Sequence, residues 1–378
     1  MQKGWTVSQK KRPDAATWIA AGIILAVYVA VFVLEQIIPP TTMLFTVLKK
    51  GATYALVAVS MNLLNGFTGL FSLGQAGFML IGAYVYAIFS MSAEVRDRVY
   101  QYFDCAIGIT LPVIPAILLA GLVAAAFAFL IGLPVLRLKS DYLAIATLGF
   151  AEIIRAVFQW KKLGPVTNGS NMLKDYPTFN DFNIVNAEGK VVLYLSTLVP
   201  FLIAGVCIAA IVLLINSTYG RSFKAIRDDE VAAEAMGINL ARHKQLAFCI
   251  SSFFAGVGGA MLAMFTNTIQ AKSFTSAMTY EILLIVVIGG IGSVTGSCIG
   301  SFLFVACSEW WLRFLDQKQY IGGWEVPLLR NGFRLVVFSV IIMVVVLFYR
   351  QGLMGMRELP DLFRRKKRSD KPGKEAAQ

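Results

Sequence analysis

About ten blocks of apolar sequence, each close to the length that carries an α-helix across a lipid bilayer, follow one another between residues 17 and 349. One soluble core cannot hide that much hydrocarbon: 57% of the residues are hydrophobic and only 15% are charged, against about 25% charged in an ordinary soluble domain. In lipid the backbone has no water to bond, so each block must satisfy its own N–H and C=O groups as a helix. The expected fold is therefore all-α, a polytopic transmembrane helical bundle with spans near 17–38, 44–64, 73–91, 108–132, 141–160, 191–215, 245–266, 280–296, 297–315 and 333–349. The first block follows Lys10, Lys11 and Arg12 but is too long for a signal-peptide h-region, and it reads as a span.

The net charge of +12, from 34 Lys and Arg against 22 Asp and Glu, is not a nucleic-acid signature here. The basic residues gather at the ends of the spans, in the 216–244 loop and in the Arg364–Arg368 run, as a positive-inside topology requires. An even number of spans then leaves a cytoplasmic arm (1–16), a transmembrane domain (17–349) with 216–244 as a cytoplasmic loop, and a basic cytoplasmic tail (350–378). That tail is suited to membrane lipid head groups or to a cytoplasmic partner. Five cysteines without CxxC spacing and one histidine, His243, argue against a metal centre or a catalytic set. No G-x-x-x-x-G-K-[ST] phosphate loop is present, so ATP hydrolysis is not expected of this chain.

Two glycine-rich segments interrupt the apolar pattern. The first carries Asn62, Asn65, Thr68, Gly69, Ser72, Gly74 and Gln75, and the second runs from Gly289 through Gly290 and Gly292 to Gly300. Irregular backbone at membrane depth survives only when buried in protein or lining a wet cavity, and paired broken helices point to a translocation pathway. The competing reading is close packing and interhelical hydrogen bonding, because Gly292, Gly296 and Gly300, like Ala255, Gly259 and Ala263, recur every fourth residue.

Charges inside spans are costly unless compensated. Glu152 and Arg155, three apart on one helix face, read as an intramembrane ion pair, with a gate contact as the functional alternative. Glu281, and Glu309 with Arg313 four residues on, read as interfacial anchors or intrahelical pairs, Lys49 and Lys50 as snorkelling residues, and Trp310, Trp311 and Trp324 as part of an interfacial aromatic belt.

The 216–244 loop reads GRSFKAIRDDEVAAEAMGINLARHK at its core. Phe223 and Ile226 supply an apolar edge, Asp228 or Asp229 can cap a helix, Glu230 favours the positive end of its dipole, and Gly237 is a natural stop. The expected product is a short amphipathic helix along the membrane surface that docks in a groove of a cytoplasmic partner through Phe223, Ile226, Arg227, Asp228, Asp229, Glu230, Glu234, Ala235 and Gly237.

This loop resembles the coupling loop of ABC-importer permeases, with Ala233-Glu234-Ala235 and Gly237 matching the family pattern. The likeness is greatest to branched-chain amino acid permeases of the LivM type, on NLLNGFTGLFSLGQAGFMLIGAY (62–84), LKSDYLAIATLGFAEIIR (138–155), KQLAFCISSFFAGVGGAMLA (244–263) and VVIGGIGSVTGSCIGS (286–301). Gln75 stands where the family usually has His, and 167–170 reads TNGS where the family pattern is TGGS-like. The resemblance implies an ABC-importer permease fold and a non-enzymatic transport subunit for branched-chain amino acids. It also implies a second, LivH-like permease, two LivG/LivF-like ATPase subunits that hold ATP and Mg, an extracytoplasmic binding protein, and a place in the inner membrane. A urea or short-amide importer is the alternative within that class, and an ion-coupled secondary transporter the alternative outside it.

Overall fold

A computed structural model of the chain describes residues 15–39, 42–103, 105–138, 140–186, 191–312, 320–321, 324–325, 337, 340, 343, 352–355 and 358–359. The expected span 333–349, Arg313 and the 364–368 basic run lie outside the described residues, apart from isolated positions in the span. In order, the helices are α1 (Ala15–Ile37), α2 (Met43–Asn62), α3 (Gln75–Ser90), α4 (Ala93–Val99), α5 (Val113–Val135), α6 (Ser140–Phe158), α7 (Gly164–Thr167), α8 (Leu198–Asn216), α9 (Thr218–Asp228), α10 (Glu230–Ala235), α11 (Leu240–Thr266), α12 (Ser276–Gly289) and α13 (Val294–Val305). π-Helical turns extend α2 over Leu63–Phe67 and α13 over Ala306–Trp311.

Among the described residues four stretches are long and apolar enough to cross a membrane: Met43–Phe67, Val113–Val135, Leu198–Asn216 and Leu240–Thr266. A fifth arises if α6 is counted with the segment bent 64° from it. The protein is thus a multi-pass helical membrane protein, but with fewer full-length helices among the described residues than the hydropathy blocks suggest. The difference comes from the breaks: α3 and α12 have 16 and 14 residues, or about 24 and 21 Å at 1.5 Å per residue. The expected span 191–215 starts as a strand, Val191–Leu193 paired antiparallel with Ile184–Val185, and becomes helical only at Leu198. The expected join of two spans at 296/297 is displaced to a turn at 290–293, between α12 and α13.

α11 is the central post, packed on α2, α3 and α5. Its small residues set the spacing. A Cβ added at Gly82 of α3 would lie 2.0 Å from the Gly256 carbonyl oxygen of α11, and one at Gly259 2.0 Å from the Met79 carbonyl oxygen. Lipid gives helices no hydrophobic reason to associate, so backbone approach of this kind is what holds such a bundle together. α12 and α13 form an antiparallel hairpin on the same principle, with Gly289 against Gly296.

At the end of the bundle opposite α9 and α10, residues 159–186 and 191–197 fold over the helices. Leu173–Lys174 pairs with Thr268–Ile269, and Tyr176 donates to the Ala263 carbonyl at 3.0 Å. Burial pushes the Tyr100 and Tyr176 phenols up, so both stay protonated donors at neutral pH. The α1–α2–α8 corner is closed by Glu35, buried, whose carboxylate accepts from the Ser196 hydroxyl (2.9 Å), Thr197 N (2.6 Å) and Leu198 N (3.2 Å) at the start of α8. Lys49 donates to the same Ser196 hydroxyl at 2.7 Å, and Lys50 to Glu309 at 2.5 Å. The two lysines are therefore bonded inside the protein where snorkelling was expected, and Glu309 reaches across to α2.

Candidate functional site: the coupling elbow and the two broken helices

The loop 216–244 folds as two helices, α9 and α10, where one was expected. Asp229 ends α9 and caps α10, its carboxylate accepting from Val231 N (2.9 Å) and Ala232 N (3.0 Å). Glu230 in the first turn of α10 pairs with Lys244 at 2.6 Å, which fastens the elbow to α11. Gly237 closes α10 at φ 83°, with its N–H donated to the Glu234 carbonyl and the Ile238 N–H to Ala233. That left-handed conformation explains why the stop is a glycine.

Phe223 and Ile226 do not face a partner. They are 0% and 1% exposed and anchor α9 to the bundle, because the apolar face of a surface helix is claimed first by the core beside it. The most outward apolar side chains are Val231 and Met236, 78% and 83% exposed, flanked by exposed Glu234 and Ala235. Spacing alone could not distinguish the two sets.

Arg227 connects this elbow to the first broken helix. Its Nη1 donates to the Gly66 carbonyl at 3.2 Å, inside the π-helical turn, while Nε and Nη2 donate to Asp228 at 3.0 and 2.8 Å. Gly69, at φ 75°, lies against the same arginine, so a Cβ there would come within 3.0 Å of Arg227 Cγ. From Gly69 the chain runs without regular structure to Gly74 and re-enters helix at Gln75.

The polar residues of this segment mostly bond to protein. Thr68 donates to the Leu63 carbonyl (2.9 Å), Asn65 Oδ1 accepts from Ser72 N (3.1 Å), the Ser72 hydroxyl lies 3.4 Å from Gly74 N, and Gln75 Nε2 donates to Ser60 (2.6 Å). Thr68, Ser72 and Gln75 are buried, and Asn65 Nδ2 is buried without a hydrogen-bond partner. Gly74 is packed on Thr147, whose hydroxyl accepts from Leu73 N at 2.9 Å.

Gly290 and Gly292 occupy the α12–α13 turn, at φ 122° and 88°. Asn62, 0% exposed, clamps that turn: Nδ2 donates to Ser293 O (2.9 Å) and the Ser297 hydroxyl (2.8 Å), and Oδ1 accepts from Gly292 N (2.8 Å). On the far side residues 352–355 bond to the same turn, through Leu353 N to Ile288 O (2.7 Å) and Met354 N to Gly289 O (3.1 Å). The Glu358 carboxylate accepts from Val294 N (2.7 Å) and Thr295 N (3.1 Å).

The break that mirrors Gly66–Gly74 is instead 267–275, between α11 and α12, which the glycine count passed over. α2 and α11 each run the length of the bundle, break, and return as the short α3 and α12. The returning helices meet near their starts, where Ala76 N donates to the Thr279 hydroxyl at 3.2 Å. Glu152 and Arg155 stand beside this meeting point. Arg155 Nε donates to Glu152 at 2.7 Å, and Ser276, the first residue of α12, donates to the other oxygen at 2.5 Å. Ser276 was not singled out in the sequence; the only cue was a hydroxyl opening an apolar helix.

The two returning helices thus meet through Ala76 and Thr279, and Arg227 joins the first break to the amphipathic elbow. A model of the family described as branched-chain amino acid transport system / permease component matches residues 43–349. The chain belongs to that family. The permease is 32% identical over 289 residues to the high-affinity branched-chain amino acid transport system permease protein LivM of Salmonella typhimurium and, at the same identity, to that of Escherichia coli K12. Each match covers 71% of this chain and 64% of the relative. It is 25% identical over 280 residues to the LivH permease protein of S. typhimurium, covering 71% of this chain and 85% of the relative. The permease thus spans under two thirds of the length of these LivM relatives. No solved structure matches it.

Proposed function

We propose that the permease is one membrane subunit of an ATP-driven importer that carries branched-chain amino acids across the inner membrane by alternating access. The carrying observation is the bond from Arg227 of the elbow to the Gly66 carbonyl in the broken span. It gives a mechanical path from a cytoplasmic partner to the helices that return at membrane depth. On this reading α9 and α10 lie on the cytoplasmic side with both termini, and Val231 and Met236 enter a groove of an ATPase subunit that holds ATP and Mg. Arg227, Asp228, Asp229, Glu230, Glu234, Ala235 and Gly237 then shape and position the elbow, with Phe223 and Ile226 as its anchors.

The substrate reading rests on the names of the LivM and LivH relatives. Similarity to both of those permeases favours a homologous second permease as partner, fed by an extracytoplasmic binding protein. Solute would pass between α3, α6 and α12, where Asn65, Ser72 and the Glu152–Arg155–Ser276 cluster are polar at membrane depth. Opening the path would break the Ser276–Glu152 bond, since that bond joins α12 to α6.

Leucine and urea uptake, measured in cells with and without this chain and with the neighbouring subunits present, tests the proposal. Loss of leucine uptake on deletion supports it. Loss of urea uptake instead overturns the substrate and keeps the importer. Met236→Glu should leave the protein in the membrane while ATPase activity no longer drives uptake; undiminished uptake in that variant would refute the docking role of the elbow.

A further inference from the structure

A cleft of about 560 Å³ opens between the carboxyl-terminal part of α5 and the first turns of α11, at the end of the bundle that carries the elbow. Its lining is mostly apolar, including Phe129, Leu133 and Ile250, and two arginines, Arg137 and Arg242, line it as well. Both arginines are exposed. Among the described residues neither guanidinium has an ion pair or a hydrogen bond, and no carboxylate lines the cleft. The neighbouring charges are already committed, Lys244 to Glu230 and Arg227 to Asp228. Gln245 closes the floor by donating to the Phe129 carbonyl at 3.1 Å.

We propose that this cleft binds one anionic phospholipid, with its phosphate between Arg137 and Arg242 and an acyl chain along Phe129 and Leu133. Two like charges facing one cleft repel unless an anion lies between them, and arginine pairs bidentately with phosphate. Arg137 follows α5 by two residues and Arg242 is the third residue of α11, which sets both at head-group level if these two helices span the bilayer. The apolar wall continues along α5 as Leu122, Phe129 and Leu133, all exposed and recurring on one face, so a chain entering the cleft leaves it along a lipid-facing surface. A free phosphate would use the arginines and leave the walls wet, and a zwitterionic lipid would bring its own cation to them. The proposal does not depend on which solute is carried.

Leu133→Trp, at a half-exposed position in the wall, serves as the probe in the full transporter reconstituted in nanodiscs, with the unsubstituted protein subtracted for native tryptophans. Brominated phosphatidylglycerol is expected to quench the introduced indole at a far lower mole fraction than brominated phosphatidylcholine. Removing each arginine, as Arg137→Gln and Arg242→Gln, should weaken that preference roughly fivefold, consistent with the usual contribution of a basic residue near an anionic surface. Equal quenching by the two lipids, or a preference that survives both substitutions, overturns the site. Preference abolished by inorganic phosphate reassigns it to a soluble anion, and absence of quenching by either lipid means another subunit covers the cleft. Native mass spectrometry of protein with Leu133 intact gives an independent reading, since phosphatidylglycerol should be retained and then lost in Arg137→Gln/Arg242→Gln.

Discussion

Replacing Asn62 tests the clamp between the first broken span and the α12–α13 turn. Three of its hydrogen bonds are shorter than 3.0 Å and the side chain is wholly buried. Interhelical hydrogen bonds in membranes are worth about 0.6 kcal/mol each on average, so losing three costs about 2 kcal/mol. Asn62→Ala also orphans the Gly292 N–H, whereas the Ser293 carbonyl keeps the Ser297 hydroxyl at 3.0 Å. One buried orphan adds up to about 1 kcal/mol here, the low end of its usual range, for a total of about 2–3 kcal/mol. Asn62→Asp should be worse than Ala, because it turns a carboxylate oxygen toward the Ser293 carbonyl that the amide now donates to. Titration with SDS in mixed micelles measures both. A loss under about 0.5 kcal/mol for Ala, or Asp more stable than Ala, would refute the clamp. A Cβ at Gly66 would lie 1.9 Å from Asn62 Oδ1, so the cost of Gly66→Ala should shrink in the Asn62→Ala background.

Gly82→Val and Gly256→Val should each destabilise the bundle by about 3 kcal/mol or more, beyond ordinary overpacking, since a Cβ at Gly82 of α3 would meet the Gly256 backbone of α11 and one at Gly256 would meet Ala120 and Ala124 of α5; near-native unfolding would show that the helices can part. Gly237→Val meets no neighbour within 4 Å and is strained only by its φ of 83°. It should cost about 1–2 kcal/mol yet uncouple ATP hydrolysis from uptake, and unchanged coupling ratios would count against the elbow. Glu358→Gln removes a carboxylate from the amino end of α13 and should cost about 1 kcal/mol, read as faster hydrogen exchange at Val294 and Thr295; unaltered exchange would mean Glu358 does not hold the start of α13. Ser276→Ala should change uptake rate several-fold with stability within about 1 kcal/mol, and an unaffected rate would remove Ser276 from the pathway.

Much of the bundle was legible because a span needs only length and apolarity, and Asp229, Gly237 and the Glu152–Arg155 pair were legible because capping, termination and i,i+3 pairing are local. The errors came where the answer depends on what lies opposite. Glu309 pairs with Lys50 of α2, a partner that no spacing within its own helix announces. Gly290 and Gly292 carry the composition of a broken helix, yet they form a turn gripped by Asn62, Leu353, Met354 and Glu358. The true counterpart of the first break, 267–275, contains no glycine and gave no signal.

By itself the sequence determined that this chain is a helical membrane protein with a polar break early and an amphipathic elbow late, since hydropathy, backbone satisfaction and capping are properties of short stretches. Only the tertiary structure decided which face of the elbow is spent on the bundle and which is left outward, and which break opposes which. The reason is that burial and hydrogen-bond satisfaction belong to pairs of surfaces: Phe223 and Met236 are both apolar on one loop, and the neighbour packed against the first is what leaves the second outside.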